Sequence, residues 1–322
     1  RSTLDRSSAA SDVYKRQQKK DKLFSKNHYV KSYAFNQGSY NLLNILKIWD
    51  IIKTKSQPID KILLKQGSSI SSIQPFELIF SNDYSKNNYL FHMIEEIYLK
   101  KAIVEKIDKC PNIEYLYSSN IVEQFIDKNS TKLVLDNGQT IYSDLIVGSD
   151  GYPSSSAKKA GIQHINYSYN QSSIVGIFKH EIPHESEAVQ IFLPSGPLAI
   201  LPLSGNRSSF VWTNVTNEAV RIFNLNDLNF LNELNTAFQN RRGQIQLESK
   251  KSMFPISLTI PKKVIKERFV IIGDTAHKIH PIAGQGLNLG IRDVAALAEV
   301  LICLLYTSPS PRDKRQWRMP SS

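Results

Sequence analysis

The chain has 322 residues, with 40 Lys+Arg against 29 Asp+Glu and a formal net charge of +11, a length that suits one or two domains. Its 41% hydrophobic and 21% charged residues are globular values that exclude wholesale disorder and collagen-like structure, and no stretch reaches the roughly 20 apolar residues of a membrane span. Cys110 and Cys303 are the two cysteines, which excludes a disulfide framework and a four-cysteine zinc site and points to a reducing, cytoplasmic setting.

The two ends differ in texture from the middle. Residues 1–17 and 303–322 are rich in Ser and Arg, whereas 18–302 is rich in Lys, Ile, Asn and Leu. Asp12-Val-Tyr-Lys-Arg-Gln17 can be encoded by GAT GTG TAT AAG AGA CAG. The reverse complement of that string, read in another frame, encodes Cys303-Leu-Leu-Tyr-Thr-Ser308. One oligonucleotide read in both senses is expected of a sequencing adapter flanking a gene fragment, so both ends are set aside from the reading of the fold. They carry +2 and +3, which leaves +6 on residues 18–302.

In chain order, Ser39 to Lys53 carries apolar residues at helical spacing, with Leu42, Leu43, Leu46 and Trp49 as the stripe and Gln57-Pro58 beyond its end. Ile59 to Ile79 reads as short strands around Gln66-Gly67-Ser68, and Leu90 to Lys109 as a second helix stopped by Cys110-Pro111. Strands are expected at Ile113–Tyr117, Lys132–Leu135 and Thr140–Val147, the last two joined by the turn Asp136-Asn137-Gly138. From 165 to 260 β-type runs dominate, at Ser173–Lys179, Ala188–Leu193, Leu198–Leu203 and Phe210–Thr213, with one helix at about Leu225–Arg241. The apolar strand Arg268–Ile272 and a helix at Leu289–Leu301 close the order.

A β-rich block inside a discontinuous α/β region produces this succession. The expected class is α/β (mixed α+β), a Rossmann-like nucleotide-binding domain interrupted by an inserted β-sheet domain. The expected boundaries are 18–68, 86–162 and 263–302 for the nucleotide-binding domain, 69–85 and 163–262 for the inserted domain, and 1–17 and 303–322 for the adapter-like ends.

Chemistry concentrates in Phe269-Val-Ile-Ile-Gly-Asp-Thr-Ala-His-Lys-Ile-His-Pro-Ile-Ala-Gly-Gln-Gly-Leu-Asn-Leu-Gly-Ile-Arg-Asp-Val294. A buried strand ends at Gly273, where a missing side chain lets a ligand approach the backbone. Asp274 stands at the carboxyl end of that strand, where ligands bind in open α/β sheets, and its carboxylate suits ribose or ribityl hydroxyls. Gly284-Gln285-Gly286 then opens a helix whose free N–H groups and dipole favour an anion. This run resembles the second FAD-binding motif of the class A flavoprotein aromatic hydroxylases. Within that class His280-Pro-Ile-Ala-Gly-Gln-Gly-Leu-Asn-Leu-Gly290 resembles the ubiquinone-biosynthesis polyprenyl-phenol hydroxylases. Leu145-Ile-Val-Gly-Ser-Asp-Gly151 is similar to the family's Asp-Gly motif, though Ala157 stands where the family has an arginine, with Lys158 and Lys159 next to it. Gly196-Pro-Leu-Ala-Ile-Leu-Pro-Leu203 with Phe210-Val-Trp-Thr213 resembles its substrate hairpin, and Lys31 takes the place of an arginine expected to contact FAD.

The resemblance implies a monooxygenase that hydroxylates a polyprenylated phenol with O2 and NAD(P)H through a C4a-hydroperoxyflavin. It implies FAD contacts from Lys31, Asp150, Gly151, Gly273, Asp274, Ala283, Gly284, Gln285, Gly286, Leu287 and Asn288. His280 and Pro281 are expected to shape the oxygen-reaction pocket, with His280 also a candidate proton relay or packed structural residue, and His277 a weaker candidate. Pro197, Ala199, Leu201 and Trp212 are expected to face the substrate ring. No metal is expected. Peripheral association with the inner face of the membrane, or a complex with other ubiquinone-biosynthesis proteins, follows from the substrate class alone. The alternatives are a class A hydroxylase of a soluble phenol, a related reductase, or an inert piece unable to bind FAD, since no Gly-x-Gly-x-x-Gly precedes residue 18. Lys100-Lys101, Lys158-Lys159 and Lys262-Lys263 are scattered pairs without interleaved aromatics, so no nucleic-acid partner is expected.

Overall fold

The strand Ser32–Phe35 pairs antiparallel with Phe91–Glu95, which pairs on its other side with Gln57–Ile59. In this computed structural model, which describes residues 31–68, 72–81, 89–117, 119–280 and 284–306, that small sheet separates two cores. Alternation along a strand sends successive side chains to opposite faces. Phe35 and Ile94 therefore join Leu43, Trp49, Ile52 and Leu99 of the covering helices. Ala34, Met93 and Ile59 point the other way, onto Ile177, Ala188 and Leu203 of a larger sheet.

Two expected helices are rearranged here. The predicted helix at 39–53 is two short ones, Gln37–Ile45 and Trp49–Ile52. The Asn36 side chain caps the first by accepting from the Ser39 N–H at 2.9 Å, and Lys47 turns left-handed at φ 55 behind it. That turn brings Ile48 and Trp49 into the same core as Leu43. The predicted helix at 90–109 begins as the strand Phe91–Glu95 and becomes the helix Glu96–Asp108, because Met93 and Ile94 are both fully buried on opposite faces, a pattern only a two-sided strand satisfies.

The larger sheet has eight strands. In spatial order they run Ile245–Leu247, His164–His180, Arg207–Val215, Gly196–Leu203, Glu187–Leu193, Lys61–Ser68 and Ser72–Ser81, with Ser252–Pro261 also paired to the long strand. The boundary expected at residue 68 moves accordingly, since Lys61–Ser68 hydrogen-bonds into this sheet. One face carries Leu63, Ile174, Phe178, Val189, Ile191, Leu198, Ile200, Phe210 and Trp212 against Phe230, Leu234 and Phe238. The helix expected at 225–241 is a pair, Thr216–Phe223 and Asp227–Ala237. Arg207 holds the two sheets together, donating to both Glu95 oxygens at 2.9 and 3.1 Å and to Glu248 at 2.6 Å.

The remaining strands form two three-stranded sheets. Ile121–Ile126, Thr131–Leu135 and Thr140–Ser143 make one; Ile265–Lys266, Phe269–Ile271 and Ile146–Gly148 make the other. Residues 113–117 form no strand, and Ile113 and Tyr115 stay exposed. Phe269–Ile271 runs parallel to Ile146–Gly148. Among the described residues the expected Rossmann-like domain is thus represented by this one parallel pair and by the separate antiparallel sheet at Ser32–Phe35. A final helix, Gln285–Tyr306, extends past residue 302. No helix of the described residues is long and apolar enough to cross a membrane.

Candidate functional site

The parallel pair brings two sequence motifs to one place. Both strands end at the same edge, so Asp150-Gly151 and Gly273-Asp274 emerge side by side. The Gly151 N–H donates to Thr275 Oγ1 at 2.8 Å, across 124 residues of sequence.

The two aspartates have different employment. Asp150 Oδ1 accepts from the Ser154 and Ser156 hydroxyls, each at 2.6 Å, and Oδ2 accepts from the Ser156 N–H at 3.0 Å. Burial pushes its pKa up, but these hydrogen bonds outweigh burial and hold the carboxyl below its usual range. Asp150 therefore builds the turn into the short helix Ser155–Lys159 and has little acceptor capacity left for a cofactor. Gly151, at φ 76, has open space where a Cβ would stand, while its N–H and carbonyl are both engaged by the Thr275 hydroxyl at 2.8 and 3.2 Å. Ala157 is fully buried against Phe269 and Ile271. Lys159 is committed to the carbonyls of Ile121 and Val122 at 2.9 and 2.7 Å, so it does not supply the absent arginine's charge.

Asp274, by contrast, is exposed in the tight turn Gly273–Thr275 and makes no hydrogen bond or ion pair among the described residues. The turn itself is pinned. The Gly273 N–H donates to Asp293 Oδ2 at 2.8 Å, and the same oxygen takes His277 Nε2 at 2.7 Å. A Cβ at Gly290 would sit 3.3 Å from Gly273 Cα, so the helix Gln285–Tyr306 rests directly on the turn. His277 and Asp293 are thus positioning residues.

Asn288, 4% exposed, fastens the start of that helix. Its Nδ2 donates to the carbonyls of Ala34 at 2.7 Å and Gly284 at 3.0 Å, while Oδ1 accepts from the Ser39 hydroxyl at 2.6 Å and the Asn36 N–H at 3.1 Å. All four of its hydrogen-bonding positions are used. Leu287 packs on the core of Phe35 and Trp49. The helix opens at Gln285, and a Cβ on Gly286 would meet nothing within 4 Å.

Lys31 lies with its ammonium 4.8 Å from the Phe254 ring centroid. Burial lowers its pKa, Glu96 opposes that, and Asp274 and Lys278 lie within its field. His280 packs edge-on against Tyr169, with ring centroids 5.4 Å apart, and its Nε2 meets Gln171 Oε1 at 3.3 Å. The other ring nitrogen, Nδ1, is buried and has no hydrogen-bond partner among the described residues. Burial also lowers the pKa of His280, which keeps the ring neutral. Pro281 and Ala283 lie outside the described residues.

The four substrate residues are divided by the pleat. Leu198 is opposite Trp212, and Ala199 is opposite Val211. Trp212 therefore shares a face with Leu198 and Ile200, packed towards Phe230 in the core. Pro197, Ala199 and Leu201 are on the other face with Val211, Thr213 and Ser173, whose hydroxyls meet at 2.6 Å. Gln171, the partner of His280, follows Ser173 by the same two-residue step. Trp212 is a core residue behind the sheet, and the apolar face nearest His280 belongs to the other three.

The sequence pattern of the FAD-binding domain family matches residues 21–312. The chain belongs to the FAD-binding monooxygenase family. Among its relatives, ubiquinone hydroxylase UbiL of Rhodospirillum rubrum is 34% identical over 261 residues, covering 81% of this chain and 59% of the relative. Mitochondrial ubiquinone biosynthesis monooxygenase COQ6 of Danio rerio is 26% identical, covering 85% of this chain and 64% of the relative. The chain thus spans about three-fifths of these relatives. In fold it matches pqsL, a probable FAD-dependent monooxygenase from Pseudomonas aeruginosa, with a TM-score of 0.76 at 17% identity over 92% of this chain and 81% of that one.

FAD suits the residues present. The exposed Asp274 carboxylate, which makes no hydrogen bond among the described residues, the open space at Gly286 in the first turn of the helix, and the Lys31 cation provide acceptor, anion site and charge. Among the described residues no group of three metal-ligating side chains occurs. Asn36, Ser39, Gln171 and Asp293 were not singled out from sequence. The Asn36-x-x-Ser39 capping pattern was the one local signal, and the others depend on contacts that only folding creates.

Proposed function

We propose that this chain is part of an FAD-dependent monooxygenase that hydroxylates the aromatic ring of a polyprenylated phenol in ubiquinone biosynthesis, using O2 and NAD(P)H. The observation that carries the reading is the convergence of Asp274, the Gln285–Leu287 helix start and neutral His280 beside the apolar face of Pro197, Ala199 and Leu201.

Bound FAD would supply oxygen activation; the chain supplies placement. Asp274 would accept hydrogen bonds from the ribityl hydroxyls, and Lys31 would offset cofactor charge. The helix start, locked by Asn288, would present N–H groups to the anionic edge of the reduced ring. His280 would be the base that takes the phenol proton, being the imidazole beside Gln171 at the end of the apolar face. A more electron-rich ring is the better nucleophile. The sheet face would exclude water while the ring is in place.

The long tail is supported by a row on that same face. Val211, Ala199, Gln190, Leu64 and Leu78 stand in register across five strands, with Phe192 beside Pro197 and Phe80 beside Ile62. Apart from Gln190 these side chains are apolar, and they run from the ring position to the sheet edge. A soluble phenol would have no use for them.

The test is to express the longest reading frame containing this chain, add FAD, and follow NAD(P)H oxidation with a short-chain prenylated phenol. A yellow protein that forms a product one oxygen heavier is expected. Equal turnover of the unprenylated phenol would favour the soluble-phenol alternative. A protein that holds no flavin would overturn the assignment.

A further inference from the structure

We infer that the outer strand Ser72–Ser81 is a self-pairing edge, through which two copies of this chain join their large sheets in antiparallel register about Leu78. Four observations lead there, and none depends on the proposed reaction.

First, among the described residues Ser72–Ser81 is the last strand of the eight-stranded sheet and pairs with Lys61–Ser68, so that from Phe76 to Phe80 no described strand lies on its other side. Its outer edge therefore carries a row of backbone donors and acceptors without a described partner strand. Second, its side chains are apolar on both faces and exposed: Phe76 is 61% accessible, Leu78 41%, Ile79 48% and Phe80 46%. Isolated exposed apolar residues are ordinary, but four within five positions on an open edge are not. Third, charge does not guard the edge. Glu77 is the one charged residue in the strand, and it is paired with Lys65 at 2.7 Å. Protective edges carry lysines, inward charges or proline; Pro75 guards the first half of this strand, and Phe76–Phe80 is the stretch left open.

The fourth observation selects the occupant. The segment is Phe76-Glu77-Leu78-Ile79-Phe80. An antiparallel copy with its two-fold axis at Leu78 places Phe76 opposite Phe80 twice, Leu78 opposite itself, and Glu77 opposite Ile79. Aromatic pairs thus form on one face, and no like charges meet on the other. Cross-strand aromatic and aliphatic pairs are the favourable units of sheet stability. The pattern is self-complementary, as an isologous two-fold interface requires. A lipid surface would be met by the same apolar side chains, but it cannot satisfy the edge N–H and C=O groups, which a second strand does.

Register-specific cross-linking tests this in the chain with Cys110→Ser and Cys303→Ser as background. Opposed residues in an antiparallel pair have Cα atoms about 4.5–5.5 Å apart, within disulfide reach. Leu78→Cys alone should give a disulfide-linked dimer on mild oxidation. Phe80→Cys alone should not, while a mixture of Phe76→Cys and Phe80→Cys chains should link across the two types. Sedimentation velocity should show a dimer that Leu78→Lys converts to monomer with the far-ultraviolet dichroism unchanged. A folded parent that sediments as a monomer at tens of micromolar would overturn the inference. So would a dimer that Leu78→Lys leaves intact, or one in which Phe80→Cys links as readily as Leu78→Cys. Flotation of a monomeric parent with anionic phospholipid vesicles, abolished by Leu78→Lys, would assign the edge to membrane instead.

Discussion

Trp212 and Ala199 differ by one step of the β-pleat, and that step separates core from site. Trp212 is 5% exposed and packs near Phe230, whereas Ala199 is on the face towards Gln171 and His280. Trp212→Ala should lower stability by about 3–5 kcal/mol through the cavity it leaves, while the milder Trp212→Phe should keep the KM for the phenol near its parent value. Ala199→Leu should raise that KM several-fold with the urea midpoint little changed. If both substitutions moved KM alike, the two-faced placement would be wrong. His280 makes the same point about local environment. From sequence it was equally a proton relay or a packed structural ring. The structure gives it a packed edge on Tyr169 and an unpaired Nδ1 together.

The helix Gln285–Tyr306 shows how an element becomes a positioning device. Asn288 ties its first turn to the Ala34–Ser39 segment, and Asp293 ties its third to Gly273. Asn288→Ala would leave the Ser39 hydroxyl, the Asn36 N–H and the Ala34 carbonyl with a lost partner each. Unsatisfied buried groups cost roughly 1–3 kcal/mol apiece, so a total of about 3 kcal/mol is expected after local relaxation. The check is a lower urea midpoint together with weaker FAD binding by flavin fluorescence. Asn288→Asp should recover part of the stability, because Oδ1 can still accept from Asn36 and Ser39. Such ties were invisible in sequence because they join positions about 250 residues apart. Legible were elements whose pattern is self-sufficient: the apolar strand at 269–271, the hairpin strands at 196–215, and the glycine-led helix after 284. Misread were segments whose form depends on a neighbour. Phe91–Glu95 has helix-like spacing only if Met93 and Ile94 are not buried on opposite sides, and they are. Ile113–Tyr117 has strand composition but no strand to pair with.

Across the whole molecule, stability should depend on pH through buried imidazoles. Burial is the chief cause that lowers the pKa of His92, His180 and His280 below the ordinary value of 6.5. His180 lies between the Ile182 carbonyl at 2.9 Å and the Ser208 hydroxyl at 3.0 Å; burial lowers its pKa and outweighs the backbone hydrogen bonds, which act to raise it. Above pH 6.5 neither folded nor unfolded chain protonates these rings, and their full contribution is present. As pH falls below 6.5 the unfolded chain binds protons that the folded one resists, so stability declines until the lower folded values are passed. The urea midpoint should therefore be lower at pH 5.5 than at 7.5, with an unchanged denaturant slope, and His180→Gln should weaken the dependence. A further loss is expected below about pH 4, where Asp150 and Glu187 surrender folded-state pKa values held down by hydrogen bonds against the opposing effect of burial. The formal net charge of +11 adds self-repulsion in the same direction as carboxylates neutralise.

The clasp at Asn288 also orders events in time. Its partners at 34–39 are synthesised long before it, and until residue 288 is made the Ser39 hydroxyl and Ala34 carbonyl must face water. Translation proceeds at roughly 5–20 residues per second, so the first strand waits for tens of seconds at the slower rate before its cofactor-facing end can close. Closure of this corner therefore waits for the helix Gln285–Tyr306. A ribosome-arrested chain ending before residue 285 would be protease-sensitive around 34–46 even with its central sheet complete.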